Sequence, residues 1–163
     1  MKIINKAIDW ICEFLCDEPV ILPEYYSFYF SKKEMIRSQV ADRYEINNLP
    51  RTWQEVNLKA LCLNVLDPIR EKFGAFTVSS GFRSEELNDI IQGSRNSQHI
   101  KGEAADFEIF GVDNLKVYNW IKDNLVYDQL ILEYYEEGIP NSGWIHVSYS
   151  LLKNRKEAFK IGE

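Results

Sequence analysis

The chain contains two histidines, His99 and His146, and each lies in a segment whose residues can do chemistry. His99 sits in Ser97-Gln98-His99-Ile100-Lys101-Gly102-Glu103-Ala104-Ala105-Asp106, and His146 closes Trp144-Ile145-His146. Two imidazoles and one carboxylate form a three-ligand zinc set, which leaves a fourth position for water and hence for hydrolysis. A lone histidine near an aspartate more often marks a hydrogen bond or a packed ring. Here the spacing argues for a metal. Gly102, Ala104 and Ala105 put little bulk between His99 and Asp106. Residues 104–109 alternate, with Ala105, Phe107 and Ile109 on one face and Asp106 and Glu108 on the other, which predicts a strand. Residues 143–149 alternate too, so Trp144, His146 and Ser148 share a face.

The pattern Ser-x-His-x-x-Gly-x-Ala-x-Asp followed by a distant Trp-x-His resembles the zinc peptidases that cut peptidoglycan stem peptides. That group includes D-Ala-D-Ala carboxypeptidases and phage L-alanyl-D-glutamate endolysins. Ser80-Gly81-Phe82-Arg83-Ser84 and Asn47-Asn48-Leu49-Pro50 look like its small, often phage-encoded branch, and the resemblance runs over about residues 30–153. It implies an α+β fold of the hedgehog/DD-peptidase type, an antiparallel sheet with helices packed on it. It also implies Zn2+ on His99, Asp106 and His146, and hydrolysis of stem peptides by a phage or prophage lysis enzyme of carboxypeptidase or endopeptidase type. The other reading is a non-catalytic cell-wall or zinc-binding module of the same fold.

A zinc peptidase also needs a charge stabiliser and a general base. The resemblance points to Arg83, in a Ser-Gly-x-Arg setting, for the oxyanion or a substrate carboxylate; a salt bridge with Glu85 or Glu86 is the alternative. Many relatives carry an acid or histidine a few positions before the last ligand, but residues 141–145 (Asn-Ser-Gly-Trp-Ile) supply none. Glu133 is the candidate base. It shares a face with Gln129 and Ile131, and a hairpin through the turn at 136–142 turns that face toward His146. Glu103, next to the metal motif, is the other candidate. Ser97 and Gln98 are expected to orient His99 or hold the substrate backbone.

The elements that position these residues follow from periodicity and caps. Ser31 with Glu34 starts a short helix over 32–37, and Thr52 with Glu55 starts the longest, over 53–73, ended by Gly74. Leu58, Leu61, Cys62, Val65, Leu66, Ile69 and Phe73 form its apolar stripe, with Asn57, Asn64, Asp67 and Glu71 opposite, and Pro68 is expected to kink or break it. Further helices are expected over 85–91 and 115–125. Strands are expected over 75–79, 104–109, 128–135 and 143–149, with a short edge strand at 157–161. The aromatic run 24–30 reads as a strand, an arm over the core, or a wall-binding platform.

At 163 residues the chain reads as one domain, long enough to bury roughly two-thirds of its unfolded surface. Residues 1–28 form an extension with an amphipathic helix over 3–15, placed outside the family-like core of 30–153. The net charge of −6 disfavours nucleic acid as a partner. Cys12, Cys16 and Cys62 are an odd count, suited to buried apolar roles in a reducing compartment. No run reaches the roughly 18 apolar residues of a membrane span. Asp9 and Glu13 interrupt the N-terminal apolar stretch, so no signal peptide is read and the expectation is a monomer, cytoplasmic when made, that acts on the wall after release.

Overall fold

The computed structural model describes residues 23–162. The expected N-terminal helix, with Cys12 and Cys16, lies outside the described residues. A five-stranded sheet in the order β1-β2-β4-β3-β5 is the scaffold: β1 is Val78–Ser80, β2 Ala104–Phe107, β3 Gln129–Glu133, β4 Trp144–Ser148 and β5 Glu157–Ile161. Its register separates two faces. Phe107, Ala105, Ile145, Val147, Leu130 and Leu132 meet across the strands on the core side. Asp106 pairs with His146, His146 with Ile131, and Trp144 with Glu133 on the other side. The period-two alternation of β2, β3 and β4 therefore builds an apolar core face and a polar site face from the same strands.

The sheet is mixed, not antiparallel as expected. β5 runs parallel to β3, pairing Gln129 with Glu157 through Glu133 with Ile161. The connection from β4 passes around one end of β3. The Lys156 and Glu157 N–H groups bond to the carbonyls of Tyr127 and Asp128, so β5 starts where β3 starts. A return around the end of a strand, not a hairpin, reverses the sense of the pairing.

Four of the six helices among the described residues, 32–36, 52–61, 67–73 and 114–124, pack on the main core, and the helices at 39–43 and 85–90 meet in a separate small cluster of Ala41, Ile46 and Leu87. The six are α1 (Lys32–Ile36), α2 (Gln39–Arg43), α3 (Thr52–Leu61), α4 (Asp67–Phe73), α5 (Glu85–Ile90) and α6 (Asn114–Asn124). Ser31, Ser84 and Asp113 cap α1, α5 and α6 through their side chains. Ser38 caps the short α2, which the sequence reading did not include. At α3 the N-cap is Arg51, not Thr52. The Gln54 side-chain Oε1 accepts the Arg51 N–H at 2.7 Å.

Pro68 neither breaks nor ends the long helix. A π-helical turn, Cys62–Leu66, joins α3 to α4, and the Asp67 N–H reaches back to the Cys62 carbonyl. The wider turn absorbs a residue whose ring and missing N–H would disrupt the ordinary ladder. It also turns Asp67 inward. Instead of facing solvent, Asp67 is 4% exposed and accepts the Ser27 hydroxyl at 2.6 Å. That bond ties down the aromatic run, which is a series of turns and not a strand. Tyr26 and Phe30 are buried in the core, and Phe30 packs on Phe76, which stacks on Phe107. The arm-over-core reading holds, and Cys62 is buried on the core side as expected.

Candidate metal centre and active-site cleft

Three side chains from two strands and one loop converge on the polar face. His146 Nδ1 lies 2.8 Å from Asp106 Oδ1, His99 Nε2 lies 3.2 Å from the same oxygen, and the two ring nitrogens are 3.3 Å apart. Asp106 and His146 are brought together by direct cross-strand pairing of β2 with β4. His99 is brought in by a tightly anchored loop. Its Nδ1 lies 2.7 Å from the Gly81 carbonyl, which leaves Nε2 to carry the lone pair. The Ile100 carbonyl accepts Gln54 Nε2 at 2.7 Å, and the Lys101 carbonyl accepts Asn57 Nδ2 at 2.9 Å.

Two glycines make this approach possible. Gly102 has φ +70°, and a Cβ there would stand 2.6 Å from the Gln54 carbonyl oxygen. A Cβ at Gly81 would meet the Met35 carbonyl oxygen at 2.2 Å. Any side chain at either position would push the loop off the helix that supports it.

The three atoms fit zinc. Tetrahedral coordination with bonds of about 2.0–2.1 Å spaces ligand atoms about 3.3 Å apart, and the observed edges are 2.8, 3.2 and 3.3 Å. The donors are mixed nitrogen and oxygen, all buried, and no fourth protein ligand joins them among the described residues. Burial pushes the Asp106 carboxyl up, but His99 and His146 overcome it and hold the group well below the usual carboxylate range. Burial pushes His99 down toward the neutral form that can ligate.

The ligands lie in a cleft of about 950 Å³ that also exposes Arg83, Ser97, Gln98, Glu103 and Glu133. Arg83 does not pair with Glu85 or Glu86. Its Nη2 donates to Asp106 Oδ2 at 2.8 Å and its Nε to the Ser80 hydroxyl at 2.9 Å, so Asp106 presents its other oxygen to the histidines. Glu133 shares the site face, one cross-strand step beyond His146. Burial and the charge of Asp106 raise its pKa, against the pull of His146 and Arg83. Glu103 is raised by burial too, but the charges acting on it are Lys101 and Asp128, not the metal ligands. The two acids thus occupy different electrostatic neighbourhoods, and only Glu133 belongs to that of the histidines. Gln98 is turned away from His99, its Nε2 donating to Asp128 Oδ2 at 2.8 Å.

A family model described as Peptidase M15 matches residues 28–148, about three-quarters of the chain and all three candidate ligands. The chain belongs to the M15 peptidase family. No curated protein matches it. The M15 peptidases are zinc-dependent, and membership implies a metallopeptidase. The residues that the sequence reading missed are supports: Ser80, Gln54, Asn48 and Asp128. Asn48 donates to the Ile36 and Phe82 carbonyls and accepts the Ser84 N–H, tying α1, the Arg83 loop and α5 together. The Asn-Asn-Leu-Pro motif carried that signal, but as part of the family likeness and not as a hub.

Proposed function

We propose that the protein is a zinc peptidase that hydrolyses peptide bonds in peptidoglycan stem peptides. The observation that carries this is the triangle of His99, Asp106 and His146 with Glu133 beside it on the same face. Zinc held there would supply a Lewis acid that polarises the scissile carbonyl and lowers the pKa of water to about 7.

The protein's own groups then divide the remaining work. Glu133 takes the proton of the attacking water on a carboxylate oxygen and passes it to the leaving amine nitrogen. Arg83 has Nε and Nη2 engaged by Ser80 and Asp106, and its remaining Nη1 is assigned to the substrate oxygen that gains negative charge. Ser97, in the cleft wall, holds the peptide backbone.

Endopeptidase action is the better-supported form. The cleft continues on both sides of the ligands, toward Glu133 and Trp144 along the strands in one direction and toward Gln129 and Asp128 in the other. A carboxypeptidase needs room on one side only. The lysis role in a phage or prophage rests on the small-branch likeness of residues 47–50 and 80–84, and a monomer acting on the wall after release suits it. No helix among the described residues is long and apolar enough to cross a membrane.

Mass spectrometry of muropeptides after incubation with the protein tests the proposal. New stem-peptide fragments that vanish with chelator and return with zinc are expected, and the fragment masses identify the bond. Intact muropeptides in the presence of zinc-loaded protein would leave a non-catalytic binding module instead.

A further inference from the structure

Asp128 is a buried acid that the proposed chemistry does not use. It stands just ahead of β3 and is 4% exposed. A carboxylate so placed needs partners, because a buried unpaired charge is costly. Most of them come from one residue. Asp128 Oδ1 accepts the Arg155 backbone N–H and Nε, each at 2.9 Å, and Oδ2 accepts Nη2 at 2.6 Å. Arg155 lies beyond the region 28–148 that the family model covers. The same Oδ2 accepts Gln98 Nε2 at 2.8 Å.

Gln98 is the residue before His99. Its carbonyl accepts the Lys101 and Glu103 N–H groups at 3.1 and 3.0 Å, which closes the turn that carries His99. Three anchors therefore bracket this ligand: Gln98 on Asp128, His99 on the Gly81 carbonyl, and Ile100 on Gln54. The first depends on the arm that follows β4. A strap for β5 alone would not need it, since the β3–β5 ladder and the Lys156 and Glu157 N–H bonds already fasten that strand.

We infer that Asp128, fixed by Arg155, is a positioning residue for the zinc-binding loop, acting through Gln98 on His99. The inference rests on the reading that His99 is a zinc ligand. Residues 150–157 are then part of the metal site without touching the metal. Partners bonded directly to a ligand commonly change metal affinity by about 10–100-fold, and Asp128, one residue removed, is expected at the low end of that range.

The test is isothermal titration of the metal-free full chain with zinc at 25 °C, for the parent, Gln98→Ala, Arg155→Ala, their double variant and Arg155→Lys. Circular dichroism establishes that each is folded. The two single variants are expected to bind zinc about tenfold more weakly. The double variant should be little weaker than either, because both act through one carboxylate. Arg155→Lys, which keeps the charge, should recover part of the loss. If Arg155→Ala does not fold, Gln98→Ala still decides the matter. Zinc affinity within twofold of the parent in folded Gln98→Ala would overturn the inference and leave the zinc site standing. A parent that binds no zinc would overturn the site itself.

Discussion

Asp106 divides its two oxygens between two tasks. Oδ1 meets both histidines and Oδ2 is held by Arg83, so the arginine fixes the rotamer of a ligand as well as lining the cleft. From sequence, Arg83→Ala is expected to keep its zinc. The geometry predicts otherwise: metal affinity and turnover should both fall, turnover by about 100-fold or more for a lost oxyanion donor. Zinc titration beside a hydrolysis assay separates the two effects. Glu133→Gln keeps the shape and removes the base, so zinc should be retained while the rate falls roughly 100-fold. The pH profile carries a sign. Glu133 accepts a proton only when ionised, and its pKa is raised by burial and by Asp106. In the metal-free protein its titration, followed by carboxyl NMR, should therefore lie above the ordinary glutamate value of about 4.3, and bound zinc should draw it back down. The ligands were legible because a metal set needs particular residue types at particular spacing. Asp128 was not, since one acid ahead of a strand gives no sign of whether it is solvated or clamped.

At the scale of elements, the site depends on loops pressed against helices. Gly102→Ala would require a side chain at φ +70° and 2.6 Å from a carbonyl oxygen. It should weaken zinc binding and lower stability by about 1–3 kcal/mol, visible in urea unfolding of the metal-free protein. Asn48→Ala removes three hydrogen bonds, one buried and two part-buried, that join α1, α5 and the Arg83 loop. A loss of about 2–4 kcal/mol is expected from the bonds and the groups left unpaired, and a loss below about 0.5 kcal/mol would deny it the hub role. The two faces of the hairpin were legible, because alternation in residues 129–133 and 144–148 puts Leu130, Leu132, Ile145 and Val147 on the core side; the register itself was not, since a two-residue slip keeps those faces. The path through Pro68 was not. Sequence offers a kink or a break at such a proline, whereas the structure has a π turn, which goes with tertiary packing of Asp67 against Ser27.

For the molecule as a whole, the metal and the fold are coupled. Three buried polar groups crowd within 4.8 Å of one another, and zinc that binds only the folded state adds stability by mass action. Zinc at about 100 times its dissociation constant should add about 2.7 kcal/mol, a rise in melting temperature of several degrees that a chelator reverses in a thermal scan. The parallel edge was hidden in the sequence for a topological reason. β5 was legible as an edge strand, but its direction depends on which way residues 149–156 travel around β3, and the Lys156 and Glu157 N–H bonds to the Tyr127 and Asp128 carbonyls start it where β3 starts. Anomalous diffraction at the zinc edge from zinc-soaked crystals tests the central claim most directly. The account predicts one strong peak about 2.0–2.1 Å from His99 Nε2 and His146 Nδ1 and about 2.0–2.2 Å from Asp106 Oδ1. Zinc bound elsewhere, with no peak between these three residues, would contradict it.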